Sequence, residues 1–187
     1  MPLLTHALSL MLAALCLLAG SSAATEKDET GLEQGVKAAY LYNFLSYIEW
    51  PPEAFPAPDS PFMIGVAGSD SMVRELRRVT ADRAVARRQV IVKPLRPGDS
   101  LAGIHLLYLS HDDPAIQASL LEAAQDFPIV TVTNAGQPLA EYSVINFRTV
   151  DGRIRFEVSL AAAERCRCRF SARMLSVALQ VHPARVR

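Results

Sequence analysis

Short apolar runs separated by helical patterns constrain this chain more than any other feature. Phe62-Met-Ile-Gly-Val-Ala67, Gln89-Val-Ile-Val-Lys-Pro-Leu95, Ile104-His-Leu-Leu-Tyr-Leu109 and Pro128-Ile-Val-Thr-Val-Thr133 each have the length and composition of a buried strand. After the first, Ser69-Asp-Ser71 offers a helix cap ahead of Val73, Leu76 and Val79. After the third, Asp113-Pro114 reads as an N-cap followed by proline at the first helical position, opening a helix to about Gln125. Parallel neighbours need crossovers, so strands alternating with helices predict a mainly parallel sheet covered on both faces.

The end of the chain breaks that rhythm. Val144-Ile-Asn-Phe-Arg-Thr-Val150, the dipeptide Asp151-Gly152 and the run from Arg153 to Leu160 form a hairpin signal. The second strand alternates Ile154, Phe156, Val158 and Leu160 inward against Arg153, Arg155, Glu157 and Ser159. A last helix is expected to carry Met174, Leu175, Ala178 and Leu179 toward the core. The predicted fold is α/β: one three-layer domain, a mixed, mainly parallel sheet with helices on both faces, and a C-terminal β-hairpin plus helix.

Ahead of the first strand, Val36, Tyr40, Phe44, Tyr47 and Ile48 recur at helical spacing, widened by Leu41 and Leu45. Pro51 disfavours helical geometry at Trp50, so the helix is expected to stop there, after a loose polar lead-in over residues 26–31. Pro52, Pro56, Pro58 and Pro61 make the next stretch an extended connector.

At 187 residues, the chain holds one sizeable core, and its net charge of +0 favours neither nucleic acid nor an anionic membrane. The apolar run from Leu8 to Leu18, followed by Ala19-Gly-Ser-Ser-Ala-Ala24, has the length and small-residue ending of a signal peptide. Residues 1–24 are therefore read as an export signal cleaved after Ala23 or Ala24, with 25–187 as the mature domain. The run is shorter than the roughly 20 apolar residues that span a bilayer. Export leaves Cys166 and Cys168 as the cysteines of the mature chain.

The aromatic helix ending in Trp50-Pro51, the strand closing in Gly68, Thr131-Val-Thr133, Ile145-Asn-Phe147, the block Arg153-Ile-Arg-Phe-Glu-Val-Ser-Leu-Ala-Ala-Ala163 and Ser171-Ala-Arg-Met-Leu175 follow one another in a specific order. In that order and spacing the chain resembles the YfiR-like family. The resemblance implies a periplasmic protein that restrains a membrane-anchored diguanylate cyclase by docking on its periplasmic sensor domain, lowering cyclic-di-GMP and biofilm formation. It also implies a homodimer and, in some systems, capture by an outer-membrane lipoprotein. The chain departs from the family at Ser159, where asparagine is usual, and at Arg167-Cys168, where Gly-Leu is frequent.

Partner contacts are expected at Trp50, Arg155, Glu157 and Arg173. Trp50 sits where the helix breaks and its indole has a polar edge, which suits either an interface or a plug in the core. Arg155 and Glu157 read either as a solvated pair or as the polar rim of a docking patch. Cys166 and Cys168 are redox or disulfide candidates: an i to i+2 bridge needs a turn, and Arg165, Arg167 and Arg169 would favour thiolate. The alternative is a packed Cys168 beside a free Cys166. Arg74, Arg77 and Arg78, with Arg83, Arg87 and Arg88, lack interleaved aromatics and read as a solvated face, not a nucleic-acid site. His111-Asp-Asp113 cannot turn all its side chains one way, so no metal or other cofactor is expected. No Gly-x-Ser-x-Gly elbow, His-Glu-x-x-His helix or P-loop is present, and the chain is read as a binding protein, not an enzyme. The alternative function is a periplasmic small-molecule-binding module feeding a sensor, with a pocket at the C-terminal edge of the parallel strands.

Overall fold

The computed structural model describes residues 20–110, 113–134 and 142–184, with only the helical backbone for 20–30. The apolar run read as an export signal lies outside the described residues. Among those described, no helix is long and apolar enough to cross a membrane. The chain divides into Met1–Gly35 and the compact unit Val36–Arg187.

Helix α1 runs Gly20–Tyr47. The lead-in expected to be loose over residues 26–31 is helical, since the segment contains no proline to stop it. The expected stop at Trp50 is also corrected. The helix ends at Tyr47, and Ile48–Glu49 forms strand β1, drawn out of the helix by antiparallel pairing with β9, Arg169–Phe170. Tertiary pairing here overrides the local pattern, and Pro51 marks the far side of the strand.

The main sheet is built from β2 (Phe62–Ala67), β3 (Ala84–Val85), β4 (Arg88–Leu95), β5 (Leu106–Leu109), β6 (Val130–Thr133), β7 (Ile145–Val150), β8 (Arg153–Ser159) and β10 (Gln180–His182). Its order is β10-β8-β7-β6-β5-β2-β4-β3. Strands β4, β2, β5, β6 and β7 are parallel neighbours, whereas β3 pairs antiparallel with β4 and β8 antiparallel with β7. The mixed, mainly parallel sheet therefore matches the sequence reading.

Its two faces are covered separately. Ile64, Val66, Leu106, Tyr108, Val130 and Val132 pack with α1 and with Met72, Val73 and Leu76 of α2, Asp70–Thr80. Ala67, Leu107, Leu109 and Ile129 pack with Leu120 and Leu121 of α3, Pro114–Ala123. Both helix starts are as expected: the Ser69 hydroxyl accepts from Met72 N–H and the Asp113 carboxylate from Ala115 N–H. Gly65 points at the α3 side, where a Cβ would lie 2.5 Å from Leu95 Cδ1, so side chains from the neighbouring strand fill the space over it.

The hairpin also forms as expected, with Asp151 at φ 49° and Gly152 at φ 69° between β7 and β8. Beyond it, a series of short elements replaces the single last helix expected. Helix α4 (Leu160–Arg165), the turn at Cys166–Cys168, β9 and α5 (Ala172–Val177) come in succession, and β10 returns parallel to β8. Met174 is buried, but Leu179 is 38% exposed, because Leu179 N–H is drawn into the β8 ladder by Phe156 O at 2.7 Å.

A Cβ at Gly152 would meet nothing within 4 Å, so Gly152→Ala should cost only backbone strain, about 1 kcal/mol. Urea unfolding should show a lower midpoint at unchanged slope. An unchanged midpoint would refute the left-handed turn.

Candidate functional site

The residues singled out above divide between two places. Trp50 belongs to an aromatic cluster at the N-terminal ends of β2 and β5. Its ring lies 5.3 Å from that of Phe62, and its indole N–H donates to His105 O at 3.1 Å. Phe55 stacks on His105 at 4.4 Å, and the Arg88 guanidinium covers Phe55 at 4.0 Å. Arg88 also donates to Ser60 O at 2.6 Å, strapping the proline-rich connector to the sheet. The indole's polar edge is thus occupied within the fold.

His105, only 2% exposed, holds this cluster through both ring nitrogens. Its Nδ1 accepts from Met63 N–H, leaving the proton on Nε2 to donate to Ala54 O, each at 3.1 Å. Burial pushes the imidazole down to about 4; the Ala54 bond opposes the shift and the nearby Arg88 charge adds to it. The neutral ring is therefore the folded form. Below the ordinary value of 6.5 the unfolded chain takes a proton that the folded chain refuses. Stability should be complete above that pH and fall as pH drops toward 4, by at most about 1.4 kcal/mol per pH unit. Urea midpoints across this window should flatten in His105→Gln, and an equal slope in both proteins would exclude His105 as the cause.

The second place is the half of the sheet that α3 leaves uncovered. Phe156 meets Tyr40 and Phe44 of α1, so its neighbours Arg155 and Glu157 point to the opposite face. Glu157 is not the solvated residue that alternation suggested. It is 5% exposed, because β10 lies beside β8 and closes over it. Its carboxylate accepts from Arg148 Nη1 at 3.2 Å on one oxygen and meets His182 Nε2 at 3.5 Å on the other. Arg155 faces Arg148 across the hairpin, half-exposed, and is not Glu157's partner.

Neutral side chains continue this polar face inward. The Thr133 hydroxyl donates to Asn146 Oδ1 at 2.9 Å, and Ser143 donates to Ile145 O at 2.8 Å. Thr131 donates to Tyr142 O at 2.8 Å and accepts from Val144 N–H at 3.0 Å. At the C-terminal end of β6, the buried Lys37 donates to Asn134 Oδ1 at 2.7 Å. One face of β6, β7 and β8 is thus a hydrogen-bonded seam where α/β sheets ordinarily carry an apolar layer.

Arg173 stands exposed on α5 with its guanidinium 5.9 Å from the Tyr47 ring. Ser171 N–H bonds Tyr47 O at 2.9 Å, so Arg173 belongs to the α1 end near Trp50. Among the described residues, none bonds to both Trp50 and Glu157. Cys166 and Cys168 are free thiols, both buried, in the turn between α4 and β9. The arginines around them are engaged: Arg167 with Glu53 at 2.6 Å, Arg169 with Glu49 at 2.6 Å, and Arg165 over the Tyr142 ring at 4.9 Å.

His111 and Asp112 lie outside the described residues, while Asp113 caps α3. Among the described residues, no three His, Cys, Asp or Glu side chains gather as a metal site. At the C-terminal edge of β2 and β4 a cleft is lined by Gly68, Ser69, Asp70, Arg96 and Asp99. Its two carboxylates oppose the anion preference of the α2 N-terminus.

The order of these elements decides the family. A family model described as DUF4154, YfiR/HmsC-like, matches residues 34–179, from α1 through the Glu157 seam to α5. The chain belongs to the YfiR/HmsC-like family. A search of curated proteins returns no match to it. For a YfiR/HmsC-like chain, sequence reasoning had missed Arg148 and His182 as the partners of Glu157. Counting outward from Asp151-Gly152 sets Arg148 opposite Arg155 and hence diagonal to Glu157, so Arg148 was recoverable from hairpin register. His182 was not, because nothing in the local pattern announces β10.

A buried carboxylate deprived of its cation is costly, whereas removing both charges together costs less. Arg148→Met should therefore lower stability by about 1–3 kcal/mol, and adding Glu157→Met should restore part of the loss. Strictly additive losses in thermal or urea unfolding would show the two side chains to be uncoupled.

Proposed function

We propose that the chain is a periplasmic regulatory binding protein, and that it represses a membrane-anchored diguanylate cyclase by docking on the cyclase's periplasmic sensor domain. In this reading it lowers cyclic-di-GMP and biofilm formation. Membership of the YfiR/HmsC-like family over residues 34–179 carries the reading. The leader 1–24 is removed on export, and the mature chain acts without turnover, as a homodimer that an outer-membrane lipoprotein captures in some systems.

The candidate contacts are consistent with docking. Arg173 is exposed, and Arg155 is half-exposed over a carboxylate already paired with Arg148. Trp50 and Glu157 are satisfied inside the fold, so they shape the surface more than they offer free polar groups to a partner. A stable complex buries roughly 1,200 Å² or more, so neighbours of these residues must share the contact.

Deleting the gene in its own host should raise cellular cyclic-di-GMP, and wild type should restore it. Arg155→Glu or Arg173→Glu, exported and folded like wild type, should fail to restore it. An unchanged level on deletion would overturn the repressor reading in favour of the small-molecule module.

A further inference from the structure

One edge of the main sheet is left open in a way the regulatory reading does not use. Strand β3 pairs with β4 only at Ala84 with Gln89 and Val85 with Arg88. Just before that pairing, Asp82 adopts φ 56°, a left-handed conformation that turns the chain away from β4. On its inner side β4 pairs with β2 from Val90 to Leu95. Among the described residues, no strand lies against the outer side of residues 90–95, about 20 Å of chain at the usual rise.

Backbone polar groups alternate in direction along a strand. Arg88 turns its groups outward to Val85, so Val90, Val92 and Pro94 turn theirs outward too. Pro94 suits that place, because the ladder with β2 needs no N–H from it. The Val92 N–H and the carbonyls of Val90, Val92 and Pro94 thus have no strand partner among the described residues.

The flank of this edge is basic. Where β3 leaves β4, a cleft of about 510 Å³ is lined by Arg77, Asp82, Arg83, Gln89, Val90 and Val92, among others. Arg77 and Arg83 are exposed, and neither has an ion-pair partner among the described residues; Arg83 lies 5.8 Å from the Tyr42 ring. Asp82 is the one carboxylate in the lining, so two cations stand against one anion. On the opposite face of β4, Ile91 is 43% exposed. An edge merely protected from aggregation is blunted with charge, whereas Ile91 leaves this one apolar on its far face.

We propose that the outer edge of β4 is a docking site for an extended acidic segment of a partner protein, which adds to the sheet as a further strand. Its backbone bonds the free groups of Val90, Val92 and Pro94. Its acidic side chains meet Arg77 and Arg83 on the α2 face, and the alternate, apolar ones cover Ile91. A second copy of this chain fits less well, because two β4 edges related by a two-fold axis would bring like sets of arginines together. The edge stands at the other end of the sheet from β8, which carries Arg155, and is independent of the contacts proposed for cyclase docking.

Main-chain bonds supply most of the affinity in strand addition, so a simple repeating peptide is a sufficient probe. A fluorescein-labelled peptide of three Glu-Val repeats, titrated with the full chain at low salt, should reach a saturating anisotropy. A peptide of three Lys-Val repeats should not bind, nor should the Glu-Val peptide N-methylated at every residue. Hydrogen exchange at the Val92 amide should slow when the Glu-Val peptide is bound. Arg77→Glu combined with Arg83→Glu should weaken binding roughly tenfold or more at an unchanged urea midpoint. No saturation at millimolar Glu-Val peptide, equal binding of either control peptide, or wild-type affinity in the double variant would each overturn the site. Self-association of the free chain that Ile91→Asp abolishes would assign the edge to a second copy and overturn the acidic partner.

Discussion

The contact between α1 and the β7–β8 hairpin holds the rest of the domain in place. Phe44 lies 5.1 Å from Phe156 and 6.1 Å from Phe147, and Tyr40 lies 5.6 Å and 5.9 Å from the same rings. Aromatic pairs of this kind add about 0.5–1.5 kcal/mol each to the burial of their area. By fixing α1 on one face, they determine that the alternate residues of β8 face the other way. They also place Tyr47 where it meets Ser171, and so let β1 pair with β9.

The opposite face is divided by chemistry. Where α3 covers it, leucines and isoleucines meet; from β6 onward the same face is threonine, serine, asparagine, arginine and glutamate. A polar layer gains little from burial and must be bonded group by group. That requirement explains why Glu157 accepts from Arg148, and why Thr133, Ser143 and Asn146 share one network.

The parallel strands, both helix caps and the hairpin were legible because each rests on a local rule. Apolar runs of strand length, Ser69 and Asp113 ahead of helices, and Asp151-Gly152 all act within a few residues. The features that were not legible depend on distant pairing. Strand β1 was hidden in a helical pattern, and its partner Arg169–Phe170 is far away in the chain. Strand β10 is three residues long and has no turn of its own to announce it, which is also why Leu179 was misread as core. At the site, alternation correctly placed Arg155 and Glu157 on one face, but it could not show that β10 would bury Glu157. The polar edge of Trp50 left an interface and a core plug equally open, and its acceptor, His105 O, could come only from the assembled sheet.

Because α1 comes early in the chain and Phe147 and Phe156 come late, a growing polypeptide displays its most aromatic helix long before that helix has anything to cover it. The parallel strands can form in the meantime, but the layer over them stays incomplete until the hairpin arrives. Contacts of such long sequence separation are slow to form. The interval between emergence of α1 and completion of the hairpin is therefore when the chain has most need of a chaperone, and a nascent chain ending before β8 would expose a sticky helix where a whole one presents a closed surface.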